Sequence, residues 1–309
     1  MMDAITLERL QGVAVGAAVG DALGMPLEFK PLVPPGKFVR TMQPGRLPAG
    51  SFTDDTELAL ALAESLLEKR PLDGDVLAKH FLDWYRAGPD DVGNHIRTVL
   101  EKIKRGQTWE KATAEVLRYR PDSSGNGSIM RCWPVALAWW NNRAQLVADS
   151  TLQSKVTHPH LDCIAGSIFV NVWIAEMMQG KPVHEAFQAA LDSAGMSAEL
   201  TGTLKKASGR RREELENSGW VRRTLETAAW AMLTTNTFAD AVIQAANLGN
   251  DADTSACVTG AIAGAAYGLG AISPSWRQEL KGEWPLRSGK QWREADFIAL
   301  ANKLVGNNP

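Results

Sequence analysis

Apolar residues recur at three- and four-residue intervals through most of this chain, the spacing of helices that bury at least one face. The pattern predicts helices over 7–23, 54–69, 75–86, 94–104, 109–118, 129–140, 143–154, 160–179 and 183–191, and again over 212–216, 221–233, 238–247, 255–269 and 296–305. In the second of these, Leu58, Leu62 and Leu66 fall on one face, and Thr53 stands where a cap belongs. Strand signals are scarce. No run of six residues alternates cleanly, and Asn126-Gly127 sits in the polar stretch Ser123-Ser124-Gly125-Asn126-Gly127-Ser128 instead of between alternating flanks. The expected fold class is all-α. Residues 30–50, rich in proline and glycine, read as an extended loop, and no linker or composition break divides the chain, so 1–309 reads as a single domain.

Two of the helices carry a further periodicity. Gly12, Gly16, Gly20 and Gly24 recur every fourth residue, as do Gly260, Gly264 and Gly268. Glycine costs roughly 1 kcal/mol against alanine inside a helix. A stripe of it implies a close backbone approach that offsets the loss. These two helices are expected to lie centrally, with functional loops at their ends.

The polar positions that interrupt the pattern include two acidic-hydroxyl clusters, Thr53-Asp54-Asp55-Thr56 and Asn250-Asp251-Ala252-Asp253-Thr254. Each lies just ahead of a long apolar helical pattern. Either one alone reads as an ordinary helix cap. Together they bring carboxylates and hydroxyls without a neighbouring His or Cys, a donor set that repels itself unless a cation is present and that suits a hard divalent ion such as Mg²⁺ or Mn²⁺. We read the clusters as halves of one metal site, joined by folding. Asp251 and Asp253 resemble the start of a calcium loop, but the glycine and the distant glutamate of an EF-hand are missing.

Other polar segments are more ambiguous. Asp21 lies in an apolar stretch and needs a partner if buried; its plainer role is a structural anchor. Glu28 follows Pro26 in a loop and is freer to face a ligand. Gly125-Asn126-Gly127-Ser128 precedes a predicted helix and offers backbone N–H groups to a phosphate, although many such loops are only turns and this one lacks the lysine of a P-loop. In Thr157-His158-Pro159-His160 a ligand contact or a cap fits better than a metal pair. Asp90-Asp91-Val92-Gly93-Asn94 opens another helix and reads as a pocket edge.

Composition narrows the partners. With 45% hydrophobic and 22% charged residues and a net charge of −2, the chain suits neither nucleic acid nor a membrane surface as its main partner. The one basic run, Gly209-Arg210-Arg211-Arg212-Glu213-Glu214, reads as a solvated helix face. Three cysteines without CxxC spacing read as small buried hydrophobes, not as disulfides or a zinc site. The start Met1-Met2-Asp3-Ala4 lacks signal-peptide features and 256–272 is short for a membrane span, so the expected location is the cytoplasm.

Taken in order, Gly16-Ala17-Ala18-Val19-Gly20-Asp21-Ala22-Leu23-Gly24 with Glu28, Phe52-Thr53-Asp54-Asp55-Thr56, Asp91-Val92-Gly93-Asn94, Gly125-Asn126-Gly127-Ser128-Ile129-Met130-Arg131, Thr157-His158 and Asn247-Leu248-Gly249-Asn250-Asp251-Ala252-Asp253-Thr254 resemble the ADP-ribosylglycohydrolase family over about 10–270. The resemblance implies an orthogonally packed helical bundle of the ADP-ribosylglycohydrolase type with two divalent cations, Mg²⁺ or Mn²⁺. Their ligands would be Thr53, Asp54, Asp55, Asp251, Asp253 and Thr254. Gly125, Asn126, Gly127, Ser128 and His158 would meet the ADP-ribose diphosphate, and Glu28, Asp55 and Asp91 would take catalytic roles. Pro26 departs from the pattern and would restrict the loop carrying Glu28. The implied reaction is hydrolysis of the bond between ADP-ribose and a protein side chain, arginine first. Cleavage of another ADP-ribosyl compound, such as an O-linked adduct, a nucleotide or a small metabolite, and non-catalytic ADP-ribose binding are the alternatives.

Overall fold

The structure, a computed structural model, describes residues 3–306. Among them are α1 (Ala4–Gly24), α2 (Asp54–Glu68), α3 (Gly74–Arg86), α4 (Asn94–Lys104), α5 (Trp109–Tyr119), α6 (Trp133–Trp139), α7 (Arg143–Lys155) and α8 (Leu161–Met178). They continue with α9 (Val183–Ser193), α10 (Ala198–Lys206), α11 (Val221–Thr234), α12 (Phe238–Ala246), α13 (Ala252–Tyr267), α14 (Pro274–Glu279) and α15 (Glu294–Gly306). The one sheet among the described residues is a two-stranded antiparallel ribbon, β1 (Gly282–Glu283) with β2 (Gln291–Trp292). The all-α expectation holds.

The centre is the antiparallel pair α1 and α13, and the glycine stripe is its seam. A methyl group on Gly16 would lie 2.5 Å from the carbonyl oxygen of Gly260; on Gly20 it would lie 2.0 Å from that of Ala256, and on Gly24 2.4 Å from that of Ala252. Such distances are far inside van der Waals contact, so the backbones themselves touch. Gly268 closes the far end of the seam, where a methyl on Gly12 would lie 2.8 Å from its carbonyl carbon. It ends α13 with φ +78°, a conformation that side chains resist.

Around this pair, α8, α11 and α12 pack on α13, and α15 packs on α1. Helix α2 meets both central helices. One apolar core runs from Leu10 to Leu304. Two helical stretches, Ala4–Leu27 and Leu161–Met178, are long and apolar enough to cross a membrane, but 89% of each is buried by the rest of the protein, as core helices are.

Several expectations shift for identifiable reasons. Helix α13 starts at Ala252 instead of 255, which puts Asp253 and Thr254 in its first turn. The helix expected over 129–140 is confined to Trp133–Trp139, because 126–128 wind as a 3₁₀ turn and Pro134 suits only a first turn. Helices α10 and α14 are absent from the expected set because each buries too few side chains to leave a periodicity, Leu200 and Leu204 in the first and Trp276 in the second. The basic run is not a solvated helix face. Arg212 is buried, its guanidinium stacks 4.7 Å from the Phe38 ring centre and donates to the Asn247 carbonyl, and only 212–214 form a 3₁₀ turn. All three cysteines are buried and unpaired.

The loop 30–50 is extended as expected, and it is tied to the second acidic cluster. Phe29 N–H donates to Asn250 O, Asn250 N–H to Lys30 O and Val33 N–H to Asn247 O. The Asn247 side chain accepts from Val39 N–H and donates to Val39 O. Gly249, at φ +72°, leaves no room for a side chain against Lys30 and Pro31.

Candidate metal centre

Three helix ends meet at one end of the central pair: the C-terminus of α1 and the N-termini of α2 and α13. Asp21, fully buried in the last turns of α1, accepts from Thr53 N–H and Oγ1 and from Thr56 N–H and Oγ1 at 2.6–3.2 Å. It therefore anchors the N-terminus of α2, the plainer of its two roles. Burial pushes its carboxyl above the ordinary value even though these four bonds pull it down.

With α2 held this way, the two acidic clusters meet. Thr254 Oγ1 donates to Asp55 Oδ2 at 3.4 Å across 199 positions of chain. Asp54, Asp55, Asp251, Asp253 and Thr254 line one cleft of about 830 Å³. Carboxylate oxygens of Glu28, Asp251 and Asp253 lie within 4.8 Å of one another. Thr53 also stands here, but its Oγ1 is spent on Asp21 and Asp55.

The electrostatics are those of crowded anions. Burial, and then the charges of their neighbours, hold the carboxyls of Asp54, Asp55 and Asp253 well above the usual range. Asp251 is raised too, by burial first, against a bond from the Asn126 amide. Asp55 Oδ1 is buried with no hydrogen-bond partner. A buried, partnerless carboxylate oxygen facing other carboxylates is costly unless a cation completes it. Oxygen donors from Asp, Glu and Thr alone fit a hard divalent ion.

Glu28 and Asp91 form the outer part of the cleft, and both touch a residue the sequence reading missed. Arg46 donates to Glu28 Oε2 at 2.9 Å and reaches Asp91 Oδ2 at 3.1 Å and Asp253 Oδ2 at 3.5 Å. Burial opposes its charge, but Glu28, Asp91, Asp253 and Asp54 outweigh burial and hold the guanidinium above its ordinary value. Glu28 is raised, by burial first. No local pattern marks Arg46, which lies in the loop before Leu47 and reaches the cleft only through the tertiary fold.

The glycine loop borders the other side. Asn126 N–H donates to Gly219 O and Val221 N–H to Ser124 O, which brings Trp220 to the rim. The Asn126 amide donates to Asp251 Oδ2 and to Thr224 Oγ1, so it braces the second acidic cluster. Gly125, Gly127 and His158 line the cleft; Ser128 is fully buried, with its hydroxyl bonded to Cys163 O. A methyl on Gly127 would lie 2.9 Å from His158 Nε2, which is why the loop needs glycine there. His95, Phe29 and Trp220 also line the cleft and were not anticipated. His95 had a faint signal, being next to Asn94 in a segment already read as a pocket edge. Phe29 and Trp220, 78% and 56% exposed, place two aromatic rings at the mouth of the cleft.

The sequence matches the ADP-ribosylglycohydrolase family over residues 2–308. The chain belongs to that family. It is 34% identical over 293 residues to the ADP-ribosylarginine hydrolase Tri1 of Serratia proteamaculans, covering 89% of this chain and 76% of that protein. It is 31% identical over 282 residues to the ADP-ribosyl-(dinitrogen reductase) glycohydrolase of Rhodospirillum rubrum, covering 88% and 90%. A solved ADP-ribosylglycohydrolase-related protein complex superposes with a TM-score of 0.79 at 32% identity, over 97% of this chain and 98% of that one. The fold is thus the helical bundle of the family, and the protein is a hydrolase of glycosidic bonds, an ADP-ribosyl glycohydrolase.

Proposed function

We propose that the enzyme hydrolyses the bond between ADP-ribose and a modified arginine side chain. The observation that carries this reading is the cleft in which Asp54, Asp55, Asp251, Asp253 and Thr254 converge beside a guanidinium held by Glu28 and Asp91. That guanidinium belongs to Arg46, and the contact supports the reading: once Arg46 yields, the same outer carboxylates offer their spacing and charge to an arginine head group of the substrate. The name of one relative, an ADP-ribosylarginine hydrolase, points the same way, and the name of the other makes its substrate an ADP-ribosylated protein.

The cations would be held by Asp54, Asp55, Asp251, Asp253 and Thr254, with Thr53 supporting Asp55, and Asp55 Oδ1 is the donor most in need of one. Two Mg²⁺ or Mn²⁺ ions would supply Lewis-acid charge beside the ribose hydroxyls and a more acidic water. The chain's own groups do the rest. Asp55 orients the water toward the anomeric carbon. Asp91 and Glu28 hold the guanidinium, and the carboxylates together offset the positive charge that develops on the sugar as its bond to nitrogen breaks. Glu28 takes the proton that the attacking water loses and passes it to the leaving guanidine nitrogen, as the bond from the anomeric carbon to oxygen forms and the bond to nitrogen breaks. Gly125, Gly127 and His158 receive the diphosphate. Partners are then an ADP-ribosylated protein or a small ADP-ribosyl compound, and three unpaired cysteines fit a cytoplasmic setting.

The test is release of free ADP-ribose from arginine-ADP-ribosylated protein with Mg²⁺ or Mn²⁺, beside O-linked and small ADP-ribosyl compounds. Release from the arginine adduct, abolished by chelation and by Asp253→Ala, is expected. Cleavage of only the other compounds would sink the arginine reading, and undiminished release by Asp253→Ala would sink the metal assignment.

A further inference from the structure

His158 is 2% exposed, lines the cleft, and has no hydrogen-bond partner at Nε2 among the described residues. Its other nitrogen, Nδ1, lies 2.7 Å from Thr157 Oγ1. That hydroxyl is in turn 2.7 Å from Arg131 Nη2, which donates to it. Arginine has protons to give and no lone pair to accept with. The Thr157 oxygen therefore serves Arg131 as an acceptor, and the acceptor in reach of its own proton is His158 Nδ1. With that hydroxyl donating to Nδ1, the imidazole proton sits on Nε2, the nitrogen turned toward the glycine loop.

The surroundings enforce the same assignment. Arg131 is itself fully buried, fixed by Gln153 through Nε at 3.2 Å and Nη2 at 3.0 Å, and its guanidinium stacks 4.3 Å from the Phe81 ring centre. His95 stacks on His158 with ring centres 4.3 Å apart. His95 Nε2 is 2.7 Å from the Thr157 carbonyl, which only accepts, so that nitrogen is a donor and Nδ1 accepts from Ser123 Oγ at 2.8 Å. Burial holds both histidines below their ordinary pKa, and Arg131 adds to this. One buried cation and two neutral rings thus form a relay that ends at an unused N–H.

We propose that Arg131 and Thr157 are positioning residues that lock His158 in the Nε2–H tautomer, so that it presents a neutral donor to an anionic oxygen of the bound diphosphate. His95 holds Thr157 by its carbonyl and so keeps the relay in register with the glycine loop. The diphosphate part of this inference rests on the ADP-ribose reading above; the tautomer does not. A neutral donor discriminates by geometry. Gly127 lies against the same edge of the ring, where a side chain would strike it, so the glycine keeps Nε2 uncovered.

The experiment uses the full chain with Mn²⁺ replaced by diamagnetic Mg²⁺ and with ¹⁵N-labelled histidine. Long-range ¹H–¹⁵N spectra at pH 7 are expected to show His158 as the Nε2–H tautomer, its signals identified by their loss in His158→Gln. Thr157→Val, which keeps the shape and removes the hydroxyl, is expected to mix the tautomers and weaken ADP-ribose binding about 5- to 10-fold by calorimetry, roughly the loss of one hydrogen bond. Thr157→Ser is expected to restore both. A wild-type His158 seen as Nδ1–H or as a cation would overturn the proposal. So would a Thr157→Val protein that binds ADP-ribose as wild type does. Failure of the wild type to bind ADP-ribose at all would instead remove the function reading, and the spectra would still decide the tautomer.

Discussion

The α1–α13 pair has two regions built on opposite rules. Along its middle, from Gly12 to Gly24, side chains have been removed until backbone meets backbone, and the contact is neutral and dry. At its end the same two helices and α2 carry Asp21, Asp55, Asp251 and Asp253; burial and then mutual repulsion raise the carboxyls of Asp55 and Asp253, and only Asp21 repays its burial with four hydrogen bonds. The contrast shows how a protein keeps like charges together. The seam fixes the helix axes, Asp21 fixes the start of α2, and the Asn217 amide fixes the start of α13 through Gly249 O and Asp251 O. The anions cannot swing apart, so they remain available to a cation.

The largest expected effect comes from breaking the seam. Gly20→Val would force a branched side chain against Ala256 O, and should cost about 3 kcal/mol or more in urea unfolding. A midpoint equal to wild type would mean that the two helices have slack. Next comes the charged end. Asp55→Asn should reduce hydrolysis on the order of 100-fold. The same substitution should raise the stability of chelator-treated protein by about 1 kcal/mol, because it removes one of several repelling buried charges. Loss of stability in chelator would show that Asp55 holds the fold and not an ion. The smallest effect sharpens the border between the regions. Arg212→Ala should cost about 1 kcal/mol by removing the Phe38 stack and the bond to Asn247 O, read as a small shift in thermal midpoint.

Much of this arrangement was legible from the chain because it is written in local periodicity. Glycine every fourth residue can mean little other than close packing, and Asp-Thr clusters ahead of apolar helices mark the ends where donors gather. Asp21 was legible as an anchor because an acid in an apolar run needs partners. Arg46 and Trp220 were not, since each sits in irregular chain and reaches the cleft only through pairings set by the whole fold. Arg212 was misread for a related reason. A run of arginines followed by glutamates looks solvated until an aromatic ring, Phe38, arrives from far along the sequence. Short helices such as α14 leave no periodic trace to read.

The pairing of 29–33 with 247–250 has one more implication. The strip of chain that bears Phe29 and leads on to Arg46 is stitched by main-chain bonds to the very turn that opens α13. Beyond Val39 the strip is still tied, since Trp276 Nε1 donates to Arg40 O at 3.0 Å and Met42 is buried in the core, so Arg46 leaves Glu28 by moving its own side chain and the few residues around it. The mouth of the cleft is in this sense guarded by one long side chain, while the floor beneath it stays still.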